Sequence, residues 1–221
     1  MNFAEILWAL REGVLYSLSI FFLTLAISLP LGLPICFGRI CKIKPISVFF
    51  RVFISVMRGT PLMLQLFVVY FLPYYVFGTQ LKMLGDNWLF ISVIIGFSLN
   101  YAAYFAEIYR GGIGSVPKGQ YDAALVLGLN KSRTFTHIIL PQVTKRVLPS
   151  VTNEIITLVK DTSLAFAIGQ IEMFTMAKRL ASKEVSLLPY AVAALLYYVF
   201  NLAVAWCMSK MEQKMSKYSI K

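Results

Sequence analysis

Charge is the scarcest ingredient of this sequence. Asp, Glu, Lys and Arg supply 14% of its 221 residues, where a soluble globular chain carries about a quarter. No G-x-x-x-x-G-K-[ST] stretch occurs, so the chain has no P-loop to cradle a nucleotide. The only histidine, His137, has no companions at metal-ligand spacing, and no Ser/His/Asp or Cys/His set falls on a plausible common surface. Three cysteines (Cys36, Cys41, Cys207) are odd in number and lack metal or redox spacing. They read as buried or bilayer-facing thiols and say nothing about compartment. Internal repeats and low-complexity tracts are missing too. Together these absences exclude visible enzymatic chemistry and leave no room for a soluble domain. What remains is a conduit or an anchor.

What is abundant is apolar sequence, at 58% of residues and a mean hydropathy of +0.71. Uncharged runs extend over residues 14–38, 60–81, 87–106 and 185–209. Each reaches the roughly 20 residues that a helix needs to cross the hydrocarbon core. A fifth stretch, 148–177, is similarly apolar but carries Glu154, Lys160, Asp161 and Glu172. The expectation is an all-α integral membrane protein of five transmembrane helices, forming one domain over residues 1–221. The first run is too long for a signal-peptide core, follows Glu5 and Glu12, and precedes no small-x-small site, so it is not expected to be cleaved. Pro30 and Pro34 lie in the first run, and Pro61 and Pro73 flank or break the second. Bundle interiors tolerate such kinks where neighbours supply hydrogen-bond partners. Ala102 and Ala106 form a small-x-x-x-small step that suits close helix approach.

The net charge of +11 is topological, with no call for nucleic acid. The segment from Arg39 to Arg58 holds five Lys/Arg, that from Arg110 to Arg146 holds six, and the tail after Ser209 holds four. The remaining exposed regions hold only Arg11, Lys82, Lys178, Arg179 and Lys183. By the positive-inside rule the basic loops and the C-terminus are cytoplasmic and the N-terminus is outside.

One cytoplasmic segment, about 117–142, stands apart. Ser115 and Pro117 look like a helix start, and Asp122 sits where a carboxylate meets the positive end of the helix dipole. Ala124, Leu125, Gly128 and Leu129 recur at helical spacing. Gly128 costs about 1 kcal/mol in a helix relative to Ala, which a close approach by another surface would justify. Asn130 to Arg133 break the helix. From Pro117 to Leu129 it would measure about 20 Å, too short to span. Such a helix suits either a connection lying on the membrane or its own bundle, or a docking element.

The spacing of Asp122-Ala123-Ala124, Gly128 and Ile138-x-Leu140-Pro141 resembles the E-A-A-x(3)-G-x(9)-I-x-L-P signature of ABC importer permeases, with Asp122 in place of Glu. The stretches RGTPL (58–62), AEIYRGGIGSVPKGQYDAA (106–124), ILPQ (139–142) and VKDTSL (159–164) resemble permeases for polar amino acids of the histidine, glutamine and arginine type. The resemblance covers essentially the whole chain. It implies the type I ABC importer permease bundle in a bacterial inner membrane, with the cassette as a coupling helix. Asp122, Ala123, Ala124, Gly128 and Leu129 would then dock onto a cytoplasmic ATPase. Implied partners are two ATPase subunits that carry ATP and Mg, a second permease (identical or not), an extracytoplasmic amino acid-binding protein and membrane lipid. No cofactor belongs to this chain. On this reading a bulky charged residue at Gly128 abolishes transport while the protein still inserts.

Intramembrane carboxylates are functional candidates by default. Glu154 and Asp161 are seven residues apart, so they share a helix face about 10 Å apart. Two carboxylates suit the cationic groups of an amino acid, and a substrate site between the third and fourth spans would use Asn100, Glu154 and Asp161. A structural reading stands beside it, with Asp161 paired to Lys160 of a second subunit or to a nearby arginine. Arg58-Gly59-Thr60-Pro61 suits chain positioning, Glu107 and Arg110 suit an i,i+3 pair, and Phe71, Tyr74, Tyr75 and Trp88 suit an interfacial belt. Two rival classes remain. An ion-gradient-driven secondary transporter would need no docking helix, and a membrane anchor would gain little from intramembrane carboxylates.

Overall fold

The structure, a computed structural model, describes residues 2–79, 85 and 87–216. Lys82, Lys217, Lys221 and the end of the second apolar run lie outside the described residues. Among those described, the chain is all helical with no strand. Helix α1 (Phe3–Ile40) turns through Cys41–Ile43 into α2 (Lys44–Gly59). The chain bends by 114° into α3 (Leu62–Phe77), and α4 (Trp88–Gly114) follows. The short α5 (Lys118–Val126), a single turn α6 (Lys131–Arg133) and a π-helical turn over Thr134–Ile139 lead into α7 (Leu140–Asp161). A 3₁₀ segment, Thr162–Ile168, separates α7 from α8 (Met173–Glu184), and α9 (Leu188–Ser216) closes the chain.

Helices α1, α4 and α9 are long and apolar enough to cross a membrane, and the bent α2–α3 pair, where taken as one broken span, makes a fourth. The stretch 148–177, expected as one spanning helix, is broken. Helix α7 starts at Leu140, ends at Asp161, tightens into the 3₁₀ segment and turns at Gly169, whose φ is +86°. The π turn stands just before Pro141, whose nitrogen has no proton for the His137 carbonyl, so the α register is interrupted there.

The core forms where small residues let helices close. Helix α1 buries Gly13, Ser17, Thr24, Ser28 and Gly32 along one seam, at the 3–4 residue spacing that puts side chains on one face. A Cβ on Gly32 would lie 3.3 Å from the Ala102 carbonyl oxygen and 3.0 Å from the Phe105 Cβ. The Ala102–Ala106 step is fully buried there and packs with Ile35, Cys36 and Ile54, as its spacing predicts. Further along the seam, a Cβ on Gly13 would lie 2.8 Å from Met173 Cα. The outer faces of α1 and α9 leave Trp8, Leu15, Phe22, Tyr198 and Trp206 exposed, as lipid-facing surfaces do.

Glu172, one of the four charges in the interrupted stretch, is fully buried and caps α8. Its carboxylate accepts from Phe174 N (2.7 Å), Thr175 N (2.6 Å), Thr175 Oγ1 (2.8 Å) and Tyr197 Oη (3.0 Å). Ser17 Oγ accepts from Met173 N at 3.1 Å, tying α8 to α1. Replacing Gly13 with Ala drives a methyl group into backbone rather than into a side chain that can swing away. Gly13→Ala is expected to lower stability by about 1–3 kcal/mol, in the range of overpacked sites, and Glu172→Ala by a similar amount through lost cap bonds. Thermal unfolding of the detergent-purified protein measures both, and an unchanged midpoint for Gly13→Ala contradicts the close α1–α8 contact.

Candidate functional site

The cassette between α4 and α7 is held to the bundle at its two ends and stands free in the middle. Ser115 caps the C-terminus of α4, its hydroxyl donating to Gly112 O at 2.7 Å, so it does not start α5 as the sequence suggests. Arg146 of α7 donates to the Ser115 carbonyl and hydroxyl oxygens. Gln142 Nε2 donates to Gln120 Oε1 (3.3 Å) and Ile138 O (3.0 Å), closing the base.

Between these ties α5 is nine residues long, about 13 Å, shorter than the expected run to Leu129. It stops in a Schellman motif, in which Gly128 N donates to Leu125 O (2.9 Å) and Leu129 N to Ala124 O (3.0 Å). Gly128 has φ +72° and nothing within 4 Å of an added Cβ. Within this chain the left-handed backbone accounts for the glycine, which stands just past the helix end and not inside the helix as the sequence reading has it. The apolar face differs as well. Ala124 is buried and Leu129 half-buried, while Asp122, Ala123 and Gly128 are exposed. The surface is an apolar ridge of Leu125 (74% exposed), Val126 (87%) and Leu127 (75%). Residue spacing named Leu125 but missed Val126 and Leu127, which lie off the stripe of Ala124, Leu125, Gly128 and Leu129.

The second feature is the bend between α2 and α3. Gln65 Nε2 donates to Met57 O (2.9 Å), Thr60 O (3.1 Å) and Thr60 Oγ1 (2.8 Å). Asn100 Nδ2, from α4, donates to Met57 O (3.0 Å) and Gln65 Oε1 (2.9 Å). Asn100 is 4% exposed, so its amide is committed to this latch. Its bonds go to neither Glu154 nor Asp161, although its chain neighbour Tyr101 does bond Asp161.

Asp161 Oδ2 accepts from Tyr101 Oη at 2.7 Å, joining the end of α7 to α4. Glu154 is half-buried and within electrostatic reach of Asp161 and Arg58. Lys160 is exposed. The Arg58 guanidinium lies 5.1 Å from the Tyr104 ring centroid. Beside it opens a cleft of about 480 Å³, lined by Arg39, Arg51, Arg58, Tyr104 and Glu107 among others. Glu107 is bonded by Arg110 Nη2 (2.6 Å) and Nε (2.9 Å), as the i,i+3 spacing suggests. Sequence spacing alone left Tyr101 unnamed, because an aromatic in an apolar run carries no sign that its hydroxyl meets a carboxylate 60 residues away. His137 Nδ1 lies 2.8 Å from Thr136 Oγ1 in the exposed cassette, and no metal-holding group exists among the described residues.

Residues 29–217 match the family described as binding-protein-dependent transport system inner membrane component. The chain is 33% identical over 214 residues to the L-cystine transport system permease protein TcyB of Bacillus subtilis, covering 96% of this chain and 88% of that protein. The arginine transport system permease protein ArtQ of Bacillus subtilis is 33% identical over 92% of this chain and 91% of its own length. Among solved structures, one described as an amino acid ABC transporter with histidines superposes with a TM-score of 0.85 at 29% identity, covering 97% of this chain and 99% of that one. The MetNI methionine ABC transporter, at 16% identity and a TM-score of 0.71 over the same shares, has the same fold.

If Asn100 and Gln65 act as one latch, removing either should undo most of what removing both does. A double-mutant cycle of Asn100→Ala and Gln65→Ala, read by chemical denaturation, is expected to show a coupling of about 0.5–3 kcal/mol, as groups in one hydrogen-bond network do. Strictly additive losses contradict the latch.

Proposed function

The chain belongs to the binding-protein-dependent transport system inner membrane components, and from that we propose how it works as the permease subunit of an ATP-driven importer of polar amino acids. Members of this family are transport components that work with a separate ATPase and a substrate-binding protein. This chain is a bacterial inner-membrane protein with no catalytic site of its own. Cystine, glutamine and arginine are the substrates named for its relatives, and a polar amino acid is the substrate class assigned here.

Residues 1–221 form one permease domain with five spans: α1, the bent α2–α3 pair, α4, α7 with its 3₁₀ extension, and α9. Helix α7 is too charged to qualify by hydropathy, but its antiparallel packing between α4 and α9 supports counting it. With the N-terminus outside, the ends of α1, α4 and α9 and the start of α7 all fall on the basic, cytoplasmic side. Two permease copies, identical or paired with a relative, would meet two ATPases that hold ATP and Mg.

The observation that carries the reading is the Leu125–Leu127 ridge. Three consecutive apolar side chains are largely exposed at the end of a short helix on the basic side, away from the apolar spans that lipid would cover. Such a patch suits a protein interface. The ATPase grips α5 there, with Asp122, Ala123, Ala124, Gly128 and Leu129 shaping and bounding the ridge. ATPase closure pushes α5, and the ties Gln120–Gln142 and Ser115–Arg146 pass the push to α4 and α7. Those helices carry Tyr101, Glu154 and Asp161, and the two carboxylates are the proposed contacts for cationic groups of the substrate. Asn100, named with them from the sequence, acts on the site by holding the bend beside it.

Uptake into proteoliposomes containing the permease, its ATPase and its binding protein is expected to need ATP and to stop with vanadate. Ion-gradient-driven uptake without the ATPase would instead favour a secondary transporter. Val126→Asp is expected to cut ATP-driven uptake by on the order of tenfold or more, as hot-spot residues do, while the protein still inserts. Full uptake in that variant removes the ridge from the coupling interface.

A further inference from the structure

We propose that the cleft of Arg39, Arg51 and Arg58 is an oxyanion subsite that takes the α-carboxylate of the transported amino acid. The inference rests on the transport reading above and deepens it. Arg51 and Arg58 are seven residues apart on α2, two turns along one face, and Arg39 joins them from the last turn of α1. The one carboxylate lining the cleft, Glu107, is already bonded by Arg110. Among the described residues, none of the three cleft arginines forms an ion pair. The cleft thus holds surplus positive charge in guanidinium form, whose planar fork matches a carboxylate.

Its volume of about 480 Å³ falls in the range of small-molecule sites. Arg58 is the hinge of the arrangement, since it lines the cleft, stacks near Tyr104 and lies within electrostatic reach of Glu154. Through Arg58 the cleft's positive charge comes within electrostatic reach of Glu154, so the region offers both signs of charge that an amino acid carries. Gln65 and Asn100 are positioning residues for this subsite, because they fix the α2–α3 bend beside Arg58. The phosphate of an anionic lipid offers similar oxyanion chemistry, and the experiment separates the two.

The permease with its ATPase is placed in phosphatidylcholine nanodiscs without the binding protein, so that selection by the latter does not intervene. L-arginine, L-glutamine and L-cystine are titrated beside their decarboxylated counterparts agmatine, 4-aminobutanamide and cystamine. For the amino acid that binds, the decarboxylated amine is expected to bind on the order of tenfold more weakly or worse, in line with loss of one partner of a bonded charge pair. Arg58→Gln should abolish that ratio by weakening the acid alone, and Arg58→Lys should keep part of it. Equal binding of acid and amine by the unaltered protein overturns the proposal, as does a ratio that survives Arg58→Gln. Should Arg58→Gln fail to assemble with the ATPase, the double variant Arg39→Gln/Arg51→Gln carries the same test with the same outcomes. In nanodiscs doped with phosphatidylglycerol, lipid released by Arg58→Gln with an unchanged acid-to-amine ratio makes the cleft a lipid site and also overturns it. Binding of no probe by a complex that imports one of the three overturns the subsite alone. ATP-independent uptake, by contrast, strikes at the transport reading.

Discussion

Backbone groups freed by a broken helix must find partners inside a membrane protein, because lipid offers none. Two such breaks organise this molecule. At the first, between Gly59 and Leu62, the side chains of Gln65 and Asn100 take up the Met57 and Thr60 carbonyls and hold a 114° bend. At the second, between Asp161 and Met173, Glu172 accepts the first N–H groups of α8 and Ser17 takes another from α1. Each break sets a charged residue beside it, Arg58 at the end of α2 and Asp161 at the end of α7. Polar chemistry therefore sits where helices stop. The unbroken spans α1, α4 and α9 supply the frame.

This division explains how a chain with so little charge carries carboxylates inside its bundle. The carboxylate of Asp161 is bonded to Tyr101 and Glu154 has Arg58 within reach, so neither faces hydrocarbon alone. The coupling element lies at the other extreme. Helix α5 is tied at its base and projects three exposed apolar residues, a surface that serves no purpose within this chain. Gln142 ties α5 to α7, Arg146 ties α7 to the end of α4, and α4 and α7 join again at Tyr101–Asp161.

The helical class and the apolar spans were legible because hydropathy and charge placement are additive along a sequence. The Glu107–Arg110 pair and the Ala102–Ala106 seam were legible because they are local. Glu172 was harder, since a carboxylate in an apolar run looks the same whether it meets a substrate or caps a helix. The latch of Asn100 was illegible for a related reason. Which neighbours an amide meets depends on a bend 35 and 43 residues away, at Gln65 and Met57. Gly128 illustrates the limit of spacing, because a signature fixes where the glycine stands and leaves open whether it answers to a neighbour or to its own φ. Neither Val126 and Leu127 nor Tyr101 carried a pattern of its own.

The central claim is that α5 is the handle by which a separate ATPase moves this bundle. Cross-linking tests it directly, using Val126→Cys in a chain freed of Cys36, Cys41 and Cys207 and assembled with the ATPase in membrane vesicles. The account predicts an adduct between position 126 and the ATPase whose yield changes when ATP is bound and when it is hydrolysed. An adduct that forms only with lipid or with this chain's own helices, whatever the nucleotide, would contradict it.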